Sequence, residues 1–231
     1  MKKKKNGIER IKSGIKGFDK LIEGGFVKGS VNLLLGGSGS GKTIFSLQFL
    51  LQGLKNNENC AYIALDEKKE TILKNAKAFG WNLEEFVKKK KLFFLEYSPE
   101  GIKRTIDEGG GELEELITRK KIKRIVIDSL TTFELMLKTS LERAEETRAL
   151  LEILKSWDCT ALITLQRNIS MKEMKEDLSV EFETDSIIIL YFIRKGLQRE
   201  RFLEILKMKN TNHSKKLHRF EITNEGISIK K

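Results

Sequence analysis

Apolar residues recur along this chain with two periods. Short continuous runs within VNLLL, CAYIAL, KLFFLEY, KRIVID and CTALITLQ have the length of strands buried on both faces. Between them lie segments with apolar residues three and four apart. Thr43 to Leu54 carries Ile44, Leu47, Leu51 and Leu54 on one face, and Glu70 to Phe79 carries Ile72, Leu73, Ala76 and Phe79. Glu112 to Lys120 predicts another helix. Thr139 and Glu142 have capping-box spacing ahead of a helix that runs to Trp157 and buries Leu150, Leu151 and Leu154. Strand and helix therefore alternate, as in a parallel sheet covered on both faces.

The two ends of the chain depart from this alternation. Gly7 to Gly25 predicts an early strand and a short helix, GFDKLIEGG, with Phe18, Leu21 and Ile22 inward and Gly24-Gly25 as its stop. Trp81 to Lys91 reads as a connection, and Pro99 with Gly109-Gly110-Gly111 as loop. Arg167 to Asp185 has weak periodicity and reads as a mobile loop. After it, SIIILYFIR, RFLEILKMK, KKLHRFEI and GISI follow one another without helical spacing between them, which predicts an antiparallel extension of the sheet. At 231 residues the chain has the length of one α/β domain, residues 1–231.

The run from Val31 ends in GGSGSGKT. Gly36, Gly37, Ser38, Gly39, Ser40, Gly41, Lys42 and Thr43 fit G-x-x-x-x-G-K-[ST], the phosphate loop, with a strand before it and a helix after it as its mechanics require. The glycines let backbone N–H groups converge on a polyphosphate at the positive end of the helix. Lys42 would reach the β- and γ-phosphates of ATP, and the Thr43 hydroxyl would hold Mg²⁺. Ile125-Val126-Ile127-Asp128 is an apolar strand ending in an acid, the Walker B pattern. Behind a phosphate loop its carboxylate orders the Mg²⁺ coordination, often through water.

Composition narrows the setting. Residues are 39% hydrophobic and 33% charged, which fits a globular protein with a heavily charged surface, and no apolar run is long enough for a membrane helix. The basic start, Met1 to Lys5, is not followed by an apolar signal segment, so the expected location is the cytoplasm. Cys60 and Cys159 each open a predicted strand and read as small buried hydrophobes. His213 and His218 fall outside metal-ligand spacing, leaving the nucleotide's Mg²⁺ as the expected metal. A formal charge of +11 is compatible with nucleic acid, but Lys accompanied by much Glu also describes an ion-paired surface.

With these motifs in view, the chain resembles the KaiC-like ATPases of the RecA superfamily, in particular their single-domain archaeal members. The resemblance runs through SGIKGFDKLIEGG, GGSGSGKT, YIALDE, RIVIDSL, LKMKNTNH and FEITNEGI, nearly the whole chain. It implies a RecA-like core and a homo-oligomer, a hexamer-type ring or a filament, with ATP between neighbouring subunits. The family's catalytic Glu-Glu pair stands here as Asp66-Glu67, the first acid one methylene shorter. The late K-x-R motif, whose cations enter a neighbour's site, stands as Lys207-Met208-Lys209. Lys209 lacks the planar fork of arginine, and both departures imply slow hydrolysis. Lys207 and Lys209 also read as the polar face of a strand whose other face is Ile205, Leu206 and Met208. Gln166 matches in type and place a residue that RecA relatives use to sense the γ-phosphate, and an ordinary strand-end amide would look the same.

Three functions follow as expectations. The first is an oligomeric, slow Mg²⁺-dependent ATPase that regulates another macromolecule. The second is a recombinase-like accessory protein binding DNA, which the clusters Arg119-Lys120-Lys121 and Lys123-Arg124 favour. Arg167 to Asp185 opposes it, setting Arg167, Lys172 and Lys175 against six carboxylates and offering only Phe182 for base stacking. Nucleic-acid binding is therefore expected to be weak. The third, an autokinase, belongs in the family to tandem domains.

Overall fold

The computed structural model describes residues 7–167 and 183–230. In chain order the elements are β1 (Arg10–Ile11), α1 (Phe18–Leu21), β2 (Phe26–Val27), β3 (Val31–Gly36), α2 (Lys42–Lys55), β4 (Asn59–Ala64), α3 (Lys69–Ala78), α4 (Leu83–Lys88), β5 (Leu92–Glu96), α5 (Pro99–Asp107), α6 (Gly111–Arg119), β6 (Ile122–Asp128), α7 (Thr131–Met136), α8 (Ser140–Ser156), β7 (Thr160–Gln166), β8 (Ser186–Lys195), β9 (Gln198–Met208), β10 (His218–Thr223) and β11 (Gly226–Ile229). Nine strands form one sheet in the order β11-β10-β9-β8-β3-β7-β6-β4-β5, and β1 pairs with β2 apart from it. From β8 to β5 every pairing is parallel, whereas β9, β10 and β11 add antiparallel strands. The RecA-like α/β fold with a C-terminal antiparallel extension is thus observed.

The period-two geometry of β3 divides the core. Leu34 faces a cluster with Phe18, Phe45, Phe49 and Leu50, while Val31, Leu33 and Leu35 face one with Ile117, Phe133, Leu150 and Leu154. The first cluster lies under α1 to α4, the second under α5 to α8. Asn32 is the polar exception in the strand. Its side chain donates to Ser30 O and Ala161 O, and its oxygen accepts from Ser186, so burial leaves no amide atom unpaired.

Four local expectations need correction. Pro99 opens α5 instead of marking loop: Ser98 Oγ accepts from the Gly101 N–H at 3.1 Å, and proline suits the first helical turn, whose N–H groups lack intrahelical partners. The glycine run only separates α5 from α6. Helix α4 occupies Leu83–Lys88 within the expected connection; it is under two turns long and buries only Leu83, too little for a periodic signal. The Thr139–Glu142 cap is present, with Thr139 Oγ1 accepting from the Glu142 N–H, but the Glu142 carboxylate reaches the N–H of Lys138, one residue earlier than in a capping box.

Arg124 is the largest departure, for it is no part of an exposed basic cluster. The side chain is fully buried, with Nε donating to Glu58 at 2.6 Å and Nη1 donating to Lys12 O and Phe49 O. Both cysteines are buried, and burial pushes their thiols up to about 12. Of the expected mobile loop, residues 168–182, with Lys172, Lys175 and Phe182, lie outside the described residues. Among the described residues no helix is long and apolar enough to cross a membrane.

Candidate functional site

Parallel strands and right-handed crossovers place the starts of helices at the carboxyl ends of the strands, and the phosphate loop joins β3 to α2 there. The loop needs glycine for two reasons. A Cβ on Gly36 would lie 2.5 Å from Ser40 Oγ and 2.6 Å from Leu190 O, and Gly41 has φ 105° with Ile222 packed beneath it. Lys42 extends back over the loop, its Nζ donating to Gly36 O at 2.8 Å and Gly37 O at 3.1 Å. Burial pushes this ammonium down, and the charges of Asp128 and Asp66 oppose the shift. The cation therefore sits over carbonyl oxygens that a phosphate would outcompete.

Asp128 ends β6 beside this loop. Its Oδ2 accepts from Thr43 Oγ1 at 2.8 Å and from Tyr62 OH at 2.6 Å, and its Oδ1 from Thr164 Oγ1 at 2.5 Å. Three hydroxyls thus orient one carboxylate. Thr43 has spent its only proton on Asp128, so the lone pairs of its oxygen remain for a hard cation. Tyr62 is wholly buried, and its phenol is pushed well above the ordinary value by that burial and by Asp128.

Asp66 and Glu67 follow β4 by one turn, beyond the strand end at Ala64. Asp66 Oδ2 accepts from Ser129 Oγ at 2.6 Å, which ties this acid to the residue after Asp128. No hydrogen bond engages the Glu67 side chain among the described residues. Partial burial, then the negative charges of Asp128 and Asp66, push the Glu67 carboxyl up.

These groups line one cleft of about 440 Å³, with Gly39, Lys42, Thr43, Tyr62, Asp66, Glu67, Asp128, Ser129, Gln166 and Arg201 on its walls. Of the expected site residues, the loop, both acids after β4, Asp128 and Gln166 come together. Gln166 is positioned by its backbone N–H, which donates to Thr131 Oγ1 at 2.8 Å. Lys207 and Lys209 are absent from the cleft. They lie at the opposite, amino-terminal edge, where Lys207 pairs in register with Ile187 and Lys209 Nζ meets Asp185 at 3.2 Å. Leu206 is not on the buried face with Ile205 and Met208; the register shift between β8 and β9 turns it outward.

Sequence reasoning missed Tyr62, Thr164, Ser129 and Arg201. A tyrosine and a threonine inside otherwise apolar buried strands were the available signal, because each hydroxyl needs a partner there. Arg201 gave none. It arrives from β9, donates to Gly39 O at 3.1 Å and stacks 4.1 Å over Phe192, a contact between strand and loop residues 162 positions apart.

Comparison with known proteins agrees with this geometry. The family model described as the KaiC ATPase matches residues 11–231. The circadian clock oscillator protein KaiC of Nostoc sp. is 36% identical over 97% of this chain, which spans only 44% of that protein's length. The UPF0273 protein of Thermotoga maritima is also 36% identical, and 96% of each chain is covered. Among solved structures, a KaiC-like protein from the hyperthermophilic archaeon Pyrococcus horikoshii superposes with a TM-score of 0.85 at 30% identity, covering 97% of this chain and all of that one.

Proposed function

Because this chain belongs to the KaiC family of ATPases, we propose that it acts as one ATPase domain, binding ATP with Mg²⁺ in the cleft at the carboxyl edge and hydrolysing it slowly. The observation that carries the reading is the 2.8 Å contact of Thr43 with Asp128 at the base of a cleft that also holds Lys42, Asp66 and Glu67. The oxygen donors of Thr43 and Asp128 suit Mg²⁺, which prefers hard oxygen ligands, and glycine at Gly36 lets the loop pack against Ser40 and Leu190 O where a Cβ would clash. Bound there, the ion would neutralise charge on the β- and γ-phosphates.

The chain's own groups divide the remaining work. Lys42 leaves Gly36 O and Gly37 O for the phosphate oxygens. Tyr62 and Thr164 keep the Asp128 carboxylate aimed. Glu67 is the better proton acceptor for the attacking water, because its oxygens are unengaged and its basicity is raised, whereas Asp66 is held by Ser129. Asp66 then orients Glu67 and the water. Gln166 stands at the end of β7 to contact the γ-phosphate.

Lys207 and Lys209 serve a different copy. Their distance from their own cleft, together with the family's placement of the K-x-R cations, supports a ring or filament in which the amino edge of one subunit completes the cleft of the next. Nucleotide state would then control how copies associate, and through that a further macromolecule. The free, buried cysteines support a reducing, cytoplasmic setting. Titration of labelled ATP with and without Mg²⁺ tests the reading. Wild type should bind and Lys42→Ala should lose about 2 to 5 kcal/mol of affinity, the range for removing one partner of a buried charged contact. Equal affinities would refute it.

A further inference from the structure

The connections that enter β4, β5 and β6 carry an unusual set of cations. Helices α2, α4 and α6 end in Lys55, Lys88 and Arg119, and the turns that follow hold Lys89-Lys90-Lys91 and Lys120-Lys121. These strands are neighbours in the sheet, in the order β6-β4-β5, so the three turns lie side by side at its amino edge. Two further contacts hold them together: Asn59 Nδ2 donates to Lys120 O at 2.6 Å, and Cys60 N donates to Lys91 O at 2.8 Å.

Three carboxylates nearby are already engaged, while Glu84 on α4 and Glu115 on α6 are exposed and make no ion pair among the described residues. Glu58 is taken by Arg124, Glu85 by Lys89 and Asp158 by Lys123. No carboxylate lies within ion-pair distance of Lys55, Lys88, Lys90, Lys91, Lys120 or Lys121 among the described residues. Cations in a last helical turn have a local explanation, since they complement the negative end of the helix. That accounts for Lys55, Lys88 and Arg119.

It does not account for Lys90 and Lys121. Each has the left-handed backbone that follows a helix, with φ of 54° and 50°. This position favours glycine, and then asparagine or aspartate, whose short side chains tolerate it. The equivalent turns before β4 and β7 follow that rule with Asn57 and Asp158 at φ 63° and 48°. Among the described residues Glu23 also has left-handed backbone, but lysine does so only in the two turns flanking β4, and both lysines are exposed. At these two positions the turn presents a cation where the backbone favours a small residue.

We propose that the β6-β4-β5 stretch of this edge, separated from Lys207 on β9 by β8, β3 and β7, binds the phosphate backbone of duplex DNA, independently of nucleotide and of the ATPase reading. Lysine acts as a point charge toward phosphate and reads no base. None of the exposed large apolar side chains lies on these turns, which leaves nothing to insert into a bilayer. The rings beside these turns, Phe86 and Phe93, are partly buried against the core, and Phe93 is covered by Lys120 at 5.9 Å, so neither offers an open platform on which single-stranded bases would stack. Duplex phosphate is the partner that a Lys-rich surface without an exposed ring fits.

The test uses the strain itself. In Lys90→Gly/Lys121→Gly the left-handed positions are relieved, so thermal stability should hold or rise while two charges are lost. Binding of a labelled, mixed-sequence DNA duplex is measured by anisotropy across a salt series. The proposal expects salt-sensitive binding by wild type, and a slope of log K against log salt that falls by about two in the double variant. Lys74→Ala/Lys195→Ala, which removes two exposed cations elsewhere, should leave the slope at the wild-type value. The proposal is overturned by absence of duplex binding at low salt, by an unchanged slope in the glycine variant, or by an equal drop in the control. Tighter binding of the single strand, or binding of poly-glutamate or phosphatidylserine vesicles in place of duplex, would overturn it as well.

Discussion

The carboxyl and amino edges of one sheet handle charge in opposite ways. At the carboxyl edge the acids are held: Asp128 accepts from three hydroxyls, Asp66 from Ser129, and Lys42 rests on loop carbonyls. At the amino edge, one cation, Arg124, is locked inside, and many others stand exposed. Helix direction explains part of the contrast. Helices after parallel strands turn their positive ends to one edge and their negative ends to the other, drawing phosphate to the first and lysine to the second. The comparison also bears on completeness, because the cleft has preorganised acids and a phosphate cradle but Lys207 and Lys209 stand at the far edge of the same chain.

The sharpest way to break the contrast is at Arg124. If it is a structural cation, Arg124→Ala should remove about 3 to 5 kcal/mol of stability, since Glu58 is left without its partner, and the urea midpoint should fall accordingly. A midpoint near wild type would put Arg124 among the surface cations.

A second test separates the two acids after β4. Glu67→Gln should lower kcat by roughly a hundredfold with little change in KM, the loss expected when a general base is removed. The wild-type acid limb should lie above the ordinary carboxylate range, because Glu67 is pushed up and must be deprotonated to act; activity falls as pH drops through that raised value. Asp66→Asn removes one of the two like charges that raise it, so the limb should move to lower pH. A limb that follows Asp66→Asn by disappearing, with Glu67→Gln still active, would exchange their roles.

The smallest effect belongs to Tyr62. Tyr62→Phe keeps the ring stacked on Phe94 at 4.8 Å and deletes only the donor to Asp128. The expected result is a weakening of Mg²⁺-dependent ATP binding by about 1 kcal/mol, read by calorimetry, with the fold intact. No change in Mg²⁺ dependence would show that Thr43 and Thr164 suffice to orient the acid.

Much of this arrangement was legible in the residues. The strand-loop-helix run around Lys42 predicts its own geometry, since glycine, lysine and threonine each have one place in a phosphate cradle, and Asp128 follows from an apolar strand behind such a loop. Residues whose role depends on a distant partner were not legible. Tyr62 and Asp128 are 66 positions apart, Arg201 and Gly39 are 162 apart, and only pairing across the sheet brings them together. Arg124 misleads for a related reason: in sequence it sits among exposed lysines, yet β6 alternation points it inward to Glu58. Helices α4 and α7 were invisible because six residues carry too few apolar positions to show a period.

Complementation between two defective subunits tests most directly whether one copy's amino edge completes another's cleft. Lys42→Ala removes the phosphate cation and leaves Lys207; Lys207→Ala does the reverse. Each alone should be nearly inactive. Mixed at concentrations where light scattering shows assembly, some interfaces pair an intact cradle with an intact Lys207, and ATPase activity should recover in part. Activity that stays at the level of the separate variants, although mixed assemblies form, would contradict the account and leave Lys207 as a strand-surface lysine.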